Sequence, residues 1–203
     1  VVTPSFNQAP FLAECIESVL SQGYPHLEYV IMDGGSTDGS VEIIRRYEKH
    51  ITYWQSASDG GHYTALNAGF LRTTGDVMAW LNSDDKYPPL ALLKAGFLFA
   101  HNPQVDWITG RPLVWDRDGR PDSVFVGALR YSRERFVSGQ FDEPYIQQES
   151  TFWRRSLWNR AGGRLNTDLE LAGDFELWIR FFRSAPLHTV DALLGGFRQH
   201  GAQ

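Results

Sequence analysis

The sequence predicts an α/β fold, a mostly parallel central sheet with helices on both faces. Three observations carry this. Short apolar runs alternate with amphipathic helical stripes through the first half of the chain, as in successive βαβ units. The run Val77–Leu81 is continuously apolar, as a strand buried on both faces is. The chain has 203 residues, 42% of them hydrophobic, which suits one compact domain with a real core.

The elements follow in order. Val1-Val2-Thr3 reads as a short strand ended by Pro4. Phe11, Leu12, Cys15, Ile16, Val19 and Leu20 recur at helical spacing, and Gly23 with Pro25 stops that helix. Tyr29–Met32 is the second strand, with Asp33 at its end. The turn-rich loop 34–40 offers Asp38 and Ser40 as N-caps for a helix bearing Val41, Ile43, Ile44 and Tyr47. Ile51–Trp54 is a third strand, Ser58-Asp59-Gly60-Gly61 a loop, and His62–Arg72 a helix. After the fourth strand, Pro88 and Pro89 open a helix that ends before Asn102-Pro103. The second half is less regular. Trp107–Trp115 is extended, Asp118-Gly119 is a hairpin-type turn, and 130–146 is a loop without period. A helix covers Ser156–Ala161, and the last helix starts near Asp174 with Phe175, Trp178, Phe181 and Phe182 on one side. Because the chain opens inside a strand, it reads as one domain over 1–203 clipped at both ends.

The net charge of −5 argues against general nucleic-acid binding, which needs a basic face. A single cysteine, Cys15, forms no internal disulfide, fits a reducing, cytoplasmic setting, and sits on the apolar stripe of the first helix. No apolar run approaches the ~20 residues that span a bilayer.

Acidic residues share one architectural address. Asp33 ends the second strand, Asp59 follows the third, and Asp84 with Asp85 follow the fourth. In a parallel sheet they converge on the edge where ligands of open α/β folds bind. Two adjacent carboxylates there call for a cation or ligand to receive them, and a divalent metal carrying a phosphorylated ligand suits hard oxygen donors. Taken singly, Asp33 and Asp59 before Gly-Gly also fit ordinary turns. Gly34, Gly35, Gly60 and Gly61 let backbone approach a ligand. Neither a G-x-G-x-x-G fingerprint nor a G-K-[ST] P-loop is present.

These residues resemble a known family. Val1-Val2-Thr3-Pro4-Ser5-Phe6-Asn7, the stretch Asp33–Ser40, the stretch Ser58–Gly69 and Leu81-Asn82-Ser83-Asp84-Asp85 occur in the order found in glycosyltransferase family 2. The resemblance covers essentially the whole chain. It implies a Rossmann-like GT-A fold and an inverting, hexosyltransferase-type enzyme that takes a nucleotide-sugar donor, a UDP-sugar first. Residues 1–115 would be the donor-binding half and 116–203 the acceptor-binding half. It places Pro4, Ser5, Asn7, Asp33, Asp59, Gly60, Asn67 and Asp84 around the donor, with Asp33 and Asp59 on the nucleoside. Asp85, Asp84 and His200 would hold Mg²⁺ or Mn²⁺. The first Asp of the family's D-x-D is Asn82 here.

Asp174 is the resemblance's catalytic base. From the residues alone an N-cap aspartate is the simpler reading, since Asp174 starts the last helix. The family's base sits in E-D-x-x-L-x-x-R; Asp174, Leu177 and Arg180 fit, and Gly173 replaces the Glu. Gln147–Arg155 resembles the segment lining the acceptor pocket, or is simply a loop entering a strand. Trp153 is a candidate sugar platform, while Trp158 and Trp178 read as packing. Arg72 and Arg198 are possible phosphate partners or surface residues.

The implied reaction moves a sugar from a nucleotide diphosphate to a hydroxyl of a saccharide or lipid-linked acceptor in surface-glycan synthesis. That acceptor implies peripheral association at the inner face of the membrane. Two other readings are a sugar-nucleotide nucleotidyltransferase and an inactive nucleotide-sugar-binding domain. The first needs a Gly-rich, basic loop after the first strand, which Pro4–Gln8 lacks; retention of Asp84, Asp85 and Asp174 speaks against the second.

Overall fold

In the first half of this protein the strand ends are fixed by their neighbours in a parallel register. In the computed structural model, which describes residues 1–127, 129–139 and 145–201, β1 (Val2–Ser5) pairs with β2 (Val30–Asp33) and β2 with β3 (Tyr53–Ser56), both parallel. On the other side of β1, the Val2 amide donates to Ala79 O (3.1 Å) and the Leu81 amide to Val2 O (3.0 Å). These bonds tie in the stretch that continues β4 (Val77–Met78) through a parallel bridge at Trp80. Beyond it, β8 (Thr151–Arg154) lies antiparallel to both β4 and β5 (Trp107–Thr109), and β9 (His188–Thr189) is parallel to β5. Through the Trp80 bridge the strand order is therefore β3-β2-β1-β4-β8-β5-β9. A second small sheet, β10 (Phe197–Arg198), β6 (Leu113–Trp115) and β7 (Pro121–Val124), stands beside it.

Side chains alternate across a strand, so each strand feeds two cores. Val30 and Met32 pack on one face and Tyr29 and Ile31 on the other. The first face is covered by α3 (His62–Phe70), α6 (Arg155–Arg160) and α7 (Gly173–Ser184), the second by α1 (Ala9–Leu20), α2 (Ser40–Tyr47) and α4 (Ala91–His101). Helices on both faces of a largely parallel sheet are what the period of the sequence predicts. Among the described residues no helix is long and apolar enough to cross a membrane.

Several elements differ from the sequence reading. The third strand is β3, two residues later than expected. Trp107–Trp115 is not one extended piece: the chain breaks at Gly110, where a Cβ would stand 2.6 Å from the Ala192 carbonyl, and β5 and β6 enter different sheets. The 130–146 region holds a short helix, α5 (Arg133–Ser138), with Ser132 Oγ accepting the Arg135 amide (3.2 Å) and Gly139 in the left-handed region at its end; residues 140–144 lie outside the described residues. The N-cap of α2 is Gly39 rather than Asp38 or Ser40; the Asp38 carboxylate accepts the Ala9 amide (2.8 Å) and the Ser40 amide (3.0 Å), the first residues of α1 and α2. Trp153 is fully buried among Phe70, Trp80, Trp158 and Trp178, so it packs the core and offers no face to a sugar. Trp158 and Trp178 are core residues, as expected, and so is Cys15. Strand β8 sits between β4 and β5, so residues 1–115 and 116–203 share one sheet.

Candidate active site

A cleft of about 740 Å³ opens at the carboxyl ends of β1, β2 and the strand continuing β4. That edge is where ligands of open α/β sheets bind. A far smaller apolar hollow of about 70 Å³, beside Val1 and Val77, lies at the opposite ends of the strands and holds none of the convergent carboxylates.

Of the residues expected around the donor, Pro4, Ser5, Asp59, Gly60 and Asp84 line the cleft. Asp59 Oδ1 accepts the Gly61 amide (2.9 Å), in a loop where Gly60 and Gly61 have φ of 80° and 114°. Only glycine enters such backbone without strain. A Cβ at Gly34 would meet Asp59 Oδ2 at 3.2 Å and the Phe6 ring at 3.3 Å, so a glycine there lets Asp59 and Phe6 converge. Phe6 is a lining residue that the sequence reading passed over; its ring is 61% exposed at the mouth of the cleft. A large aromatic among the small and polar residues directly after the first strand is the signal that could have found it.

The carboxylates of Asp84 and Asp85 point in different directions. Asp84 faces the cleft, and its Oδ2 lies 3.0 Å from His200 Nε2, with both side chains largely shielded. His200 also stacks on Phe11 (4.4 Å between ring centres). Asp85 turns into the core, where its Oδ1 accepts the Arg198 amide at 2.7 Å. Its Oδ2 has no donor among the described residues, and the carboxyl beside it is that of Glu149. Burial, first, and the Glu149 charge push Asp85 well above the usual carboxylate range. Burial, with Asp174 and Asp84 nearby, pushes Glu149 up to about 7. Glu149 was legible only as part of a polar run. The rest of that run also faces inward: Gln147 bonds both backbone groups of Leu113 (3.1 and 2.8 Å), Gln148 Nε2 donates to Trp80 O (2.7 Å), and Ser150 Oγ donates to Gly195 O (3.0 Å).

Three expected donor contacts lie off the cleft lining. Asp33 is buried, and its carboxylate accepts from the Gly35 amide (3.1 Å), the Ser36 amide (2.9 Å), Ser36 Oγ (2.6 Å) and Ser56 Oγ (2.6 Å). Asn7, at φ 53°, clamps the β1 turn to the β2–α2 loop by accepting the Thr37 amide (2.9 Å). Asn67 exchanges two hydrogen bonds with the backbone of Leu165 (3.0 and 2.8 Å). Of the two arginines, Arg72 lies over the Tyr53 ring, and Arg198 is buried rather than on the surface.

Asp174 occupies the second position of α7, within electrostatic reach of Glu149. Burial raises its pKa above the ordinary value. The adjoining Glu170 and Leu171 line the cleft, and Leu171 is 92% exposed there. A Cβ on Gly173 would stand 2.6 Å from the Tyr63 ring, which explains a glycine in place of the Glu expected before Asp174.

The donor set fits a divalent cation shared with a ligand. Asp84 and His200 supply one oxygen and one nitrogen close together, and no cluster of three His, Cys, Asp or Glu suited to a metal occurs among the described residues. Phosphate oxygens would complete the coordination, as is common for hard cations.

The family model of glycosyl transferase family 2 matches residues 1–163. The chain belongs to that family. An uncharacterized glycosyltransferase of Mycobacterium tuberculosis is 31% identical over 182 residues, 89% of this chain and 67% of that protein. TuaG of Bacillus subtilis, named for teichuronic acid biosynthesis, is 35% identical over 133 residues, 63% of this chain and 52% of its own length. Among solved structures, S. aureus TarS 1-349 in complex with UDP-GlcNAc superposes with a TM-score of 0.76 at 18% identity, covering 100% of this chain and 58% of that one. A mannosyltransferase from Pyrobaculum calidifontis in complex with GDP-Man and Mn²⁺ superposes with a TM-score of 0.70 at 20% identity, covering 96% of this chain and 55% of that one. The fold of this glycosyltransferase is thus GT-A, and the chain spans about half to two thirds of the length of these relatives.

Proposed function

We propose that this family 2 chain transfers a sugar, with inversion, from a nucleotide diphosphate to a hydroxyl of a saccharide or lipid-linked acceptor in surface-glycan synthesis. The observation that carries this reading is Asp84 on the wall of a cleft that also holds Asp59, with His200 buried behind it at 3.0 Å. The UDP-GlcNAc of the TarS complex, the GDP-Man and Mn²⁺ of the mannosyltransferase complex and the biosynthetic name of TuaG support it.

Asp59 and the backbone around Pro4, Ser5 and Gly60 receive the nucleoside, and the Phe6 ring offers its face to the base. Asp33, Asn7 and Asn67 serve the donor indirectly, by holding the loops that carry these groups. The diphosphate lies toward Asp84 and His200, and Asp85 braces that turn from inside. Mg²⁺ or Mn²⁺ held by Asp84 and His200 would neutralise the leaving diphosphate as a Lewis acid.

Asp174 takes the proton from the acceptor hydroxyl as its oxygen bonds to the anomeric carbon. The bond to the diphosphate oxygen breaks on the opposite side, and the leaving group departs with the electron pair, which inverts the centre. A base held within hydrogen-bond reach contributes roughly 10²–10⁴ in rate. Its burial-raised pKa makes Asp174 a stronger base than an exposed aspartate. The acceptor enters past Leu171 and the exposed Tyr145. A lipid-linked acceptor would bring the chain to the inner face of the membrane as a peripheral protein.

The test is a thermal-shift screen of UDP-, GDP- and dTDP-sugars with and without Mn²⁺, since a ligand of the native state raises apparent stability. At least one sugar nucleotide should raise the midpoint in a Mn²⁺-dependent way. No shift with any of them would refute the reading.

A further inference from the structure

The geometry points to Arg198 as the positioning residue of the diphosphate edge, acting through Asp84, Asp85 and His200 without touching the donor. The assignment rests on the reading of Asp84 and His200 given above. Arg198 is 2% exposed. A buried guanidinium is tolerated only when its donors are met, and the way they are met shows what it holds in place. Nε donates to the Asp84 carbonyl (2.6 Å), Nη1 to the Arg117 carbonyl (3.1 Å) and Nη2 to Glu14 Oε2 on α1 (2.6 Å). Among these contacts a carboxylate partners the charge, and two bonds go to main-chain oxygens of separate loops.

The same residue grips the Asp84-Asp85 turn a second time, because its own amide donates to Asp85 Oδ1 (2.7 Å). The main chain of Asp84 and the side chain of Asp85 are thereby fixed together, which sets the direction of the Asp84 carboxylate. Arg198 also governs the other member of the pair. Its guanidinium carbon lies 5.1 Å from the centre of the Phe11 ring, and the His200 ring lies 4.4 Å from the same centre. The contacts close a circuit: Arg198 to the Asp84 backbone, Asp84 carboxylate to His200, His200 to Phe11, and Phe11 back to Arg198. Groups that orient ligating residues in this way typically carry ~10–100-fold of metal affinity. A lysine would keep the charge but lose the planar fork that reaches three acceptors at once.

The experiment measures UDP and GDP binding by calorimetry, with Mn²⁺ and with EDTA, for the wild type, Arg198→Lys and Glu14→Gln, alongside thermal unfolding. Glu14 is half-exposed, so its variant keeps the fold while loosening one end of the guanidinium. The Mn²⁺-linked gain in nucleotide affinity should fall about 10-fold or more in Arg198→Lys. It should fall less, but in the same sense, in Glu14→Gln, with EDTA affinities unchanged in both. A folded Arg198→Lys protein with the wild-type Mn²⁺ gain overturns the assignment. If that variant does not fold, a Glu14→Gln protein with the wild-type gain overturns it. An equal loss with and without Mn²⁺ marks a merely structural role and also overturns it. A wild type without any Mn²⁺-linked binding overturns the functional reading beneath it.

Discussion

The Tyr63 hydroxyl accepts the Gly173 amide at 2.9 Å, joining the helix that lines the donor side of the cleft to the helix that carries Asp174. The bond is buried and fixes the start of α7, and with it Asp174, against Tyr63 of the cleft lining. It also satisfies a helix N-terminal N–H that has no partner within α7.

Asp174→Asn removes the proposed base while keeping its shape. Steady-state transfer should fall by roughly 10²–10⁴ in kcat. Donor affinity, measured by calorimetry on the same protein, should stay at the wild-type value; a matching loss of donor binding would move Asp174 to the donor side.

Gly173→Glu restores the family's usual residue before the base, yet its Cβ would stand 2.6 Å from the Tyr63 ring. Forcing that ring aside should destabilise the protein by about 1–3 kcal/mol in urea titration. In the Tyr63→Ala background the same substitution should cost far less, because the obstructing ring is gone.

Asp33→Ala leaves two backbone amides and two hydroxyls without their common acceptor. A loss of roughly 3 kcal/mol in unfolding free energy is expected. Were Asp33 a direct nucleoside contact instead, UDP affinity would drop with stability unchanged.

Glu149 gives a pH signature with a definite sign. Its folded pKa, about 7, lies above the ordinary 4.5, so the native state holds a proton that the unfolded chain has released. That stabilisation is fully present below about pH 4.5 and is lost as pH rises through about 7. Glu149→Gln should flatten the decline across that window, by up to roughly 3 kcal/mol between its ends. Denaturant titrations at pH 5 and pH 8 on both proteins check this; an unchanged slope would remove Glu149 as its source.

The alternation of apolar runs and helical stripes made the parallel sheet of the first half legible, and the carboxylates at its strand ends pointed to the edge where the cleft opens. Side-chain direction was not legible. Asp84 and Asp85 are neighbours in sequence, yet one faces the cleft and the other the core, a distinction set by Arg198 from the far end of the chain. Asp33 and Asp59 share the Asp-Gly-Gly pattern, but only tertiary contact from Ser56 completes the closure of Asp33 while Asp59 stays at the cleft. The burial of Glu149 depends on Gly195, where a Cβ would fall 1.8 Å from the Glu149 carbonyl, and no local pattern announces that packing. Helix α5 did carry local signals, Ser132 as cap and Gly139 as stop, in a segment too short to show a period.

The central claim is that Asp84, with His200, receives the diphosphate of a sugar nucleotide through a divalent cation. Calorimetric titration of UDP and GDP into wild type and Asp84→Ala, each with Mn²⁺ and with EDTA, tests it most directly. The account predicts Mn²⁺-dependent nucleotide binding in the wild type, weakened at least about 10-fold by Asp84→Ala, with the EDTA values alike. Nucleotide binding that ignores both Mn²⁺ and the Asp84 carboxylate would contradict it.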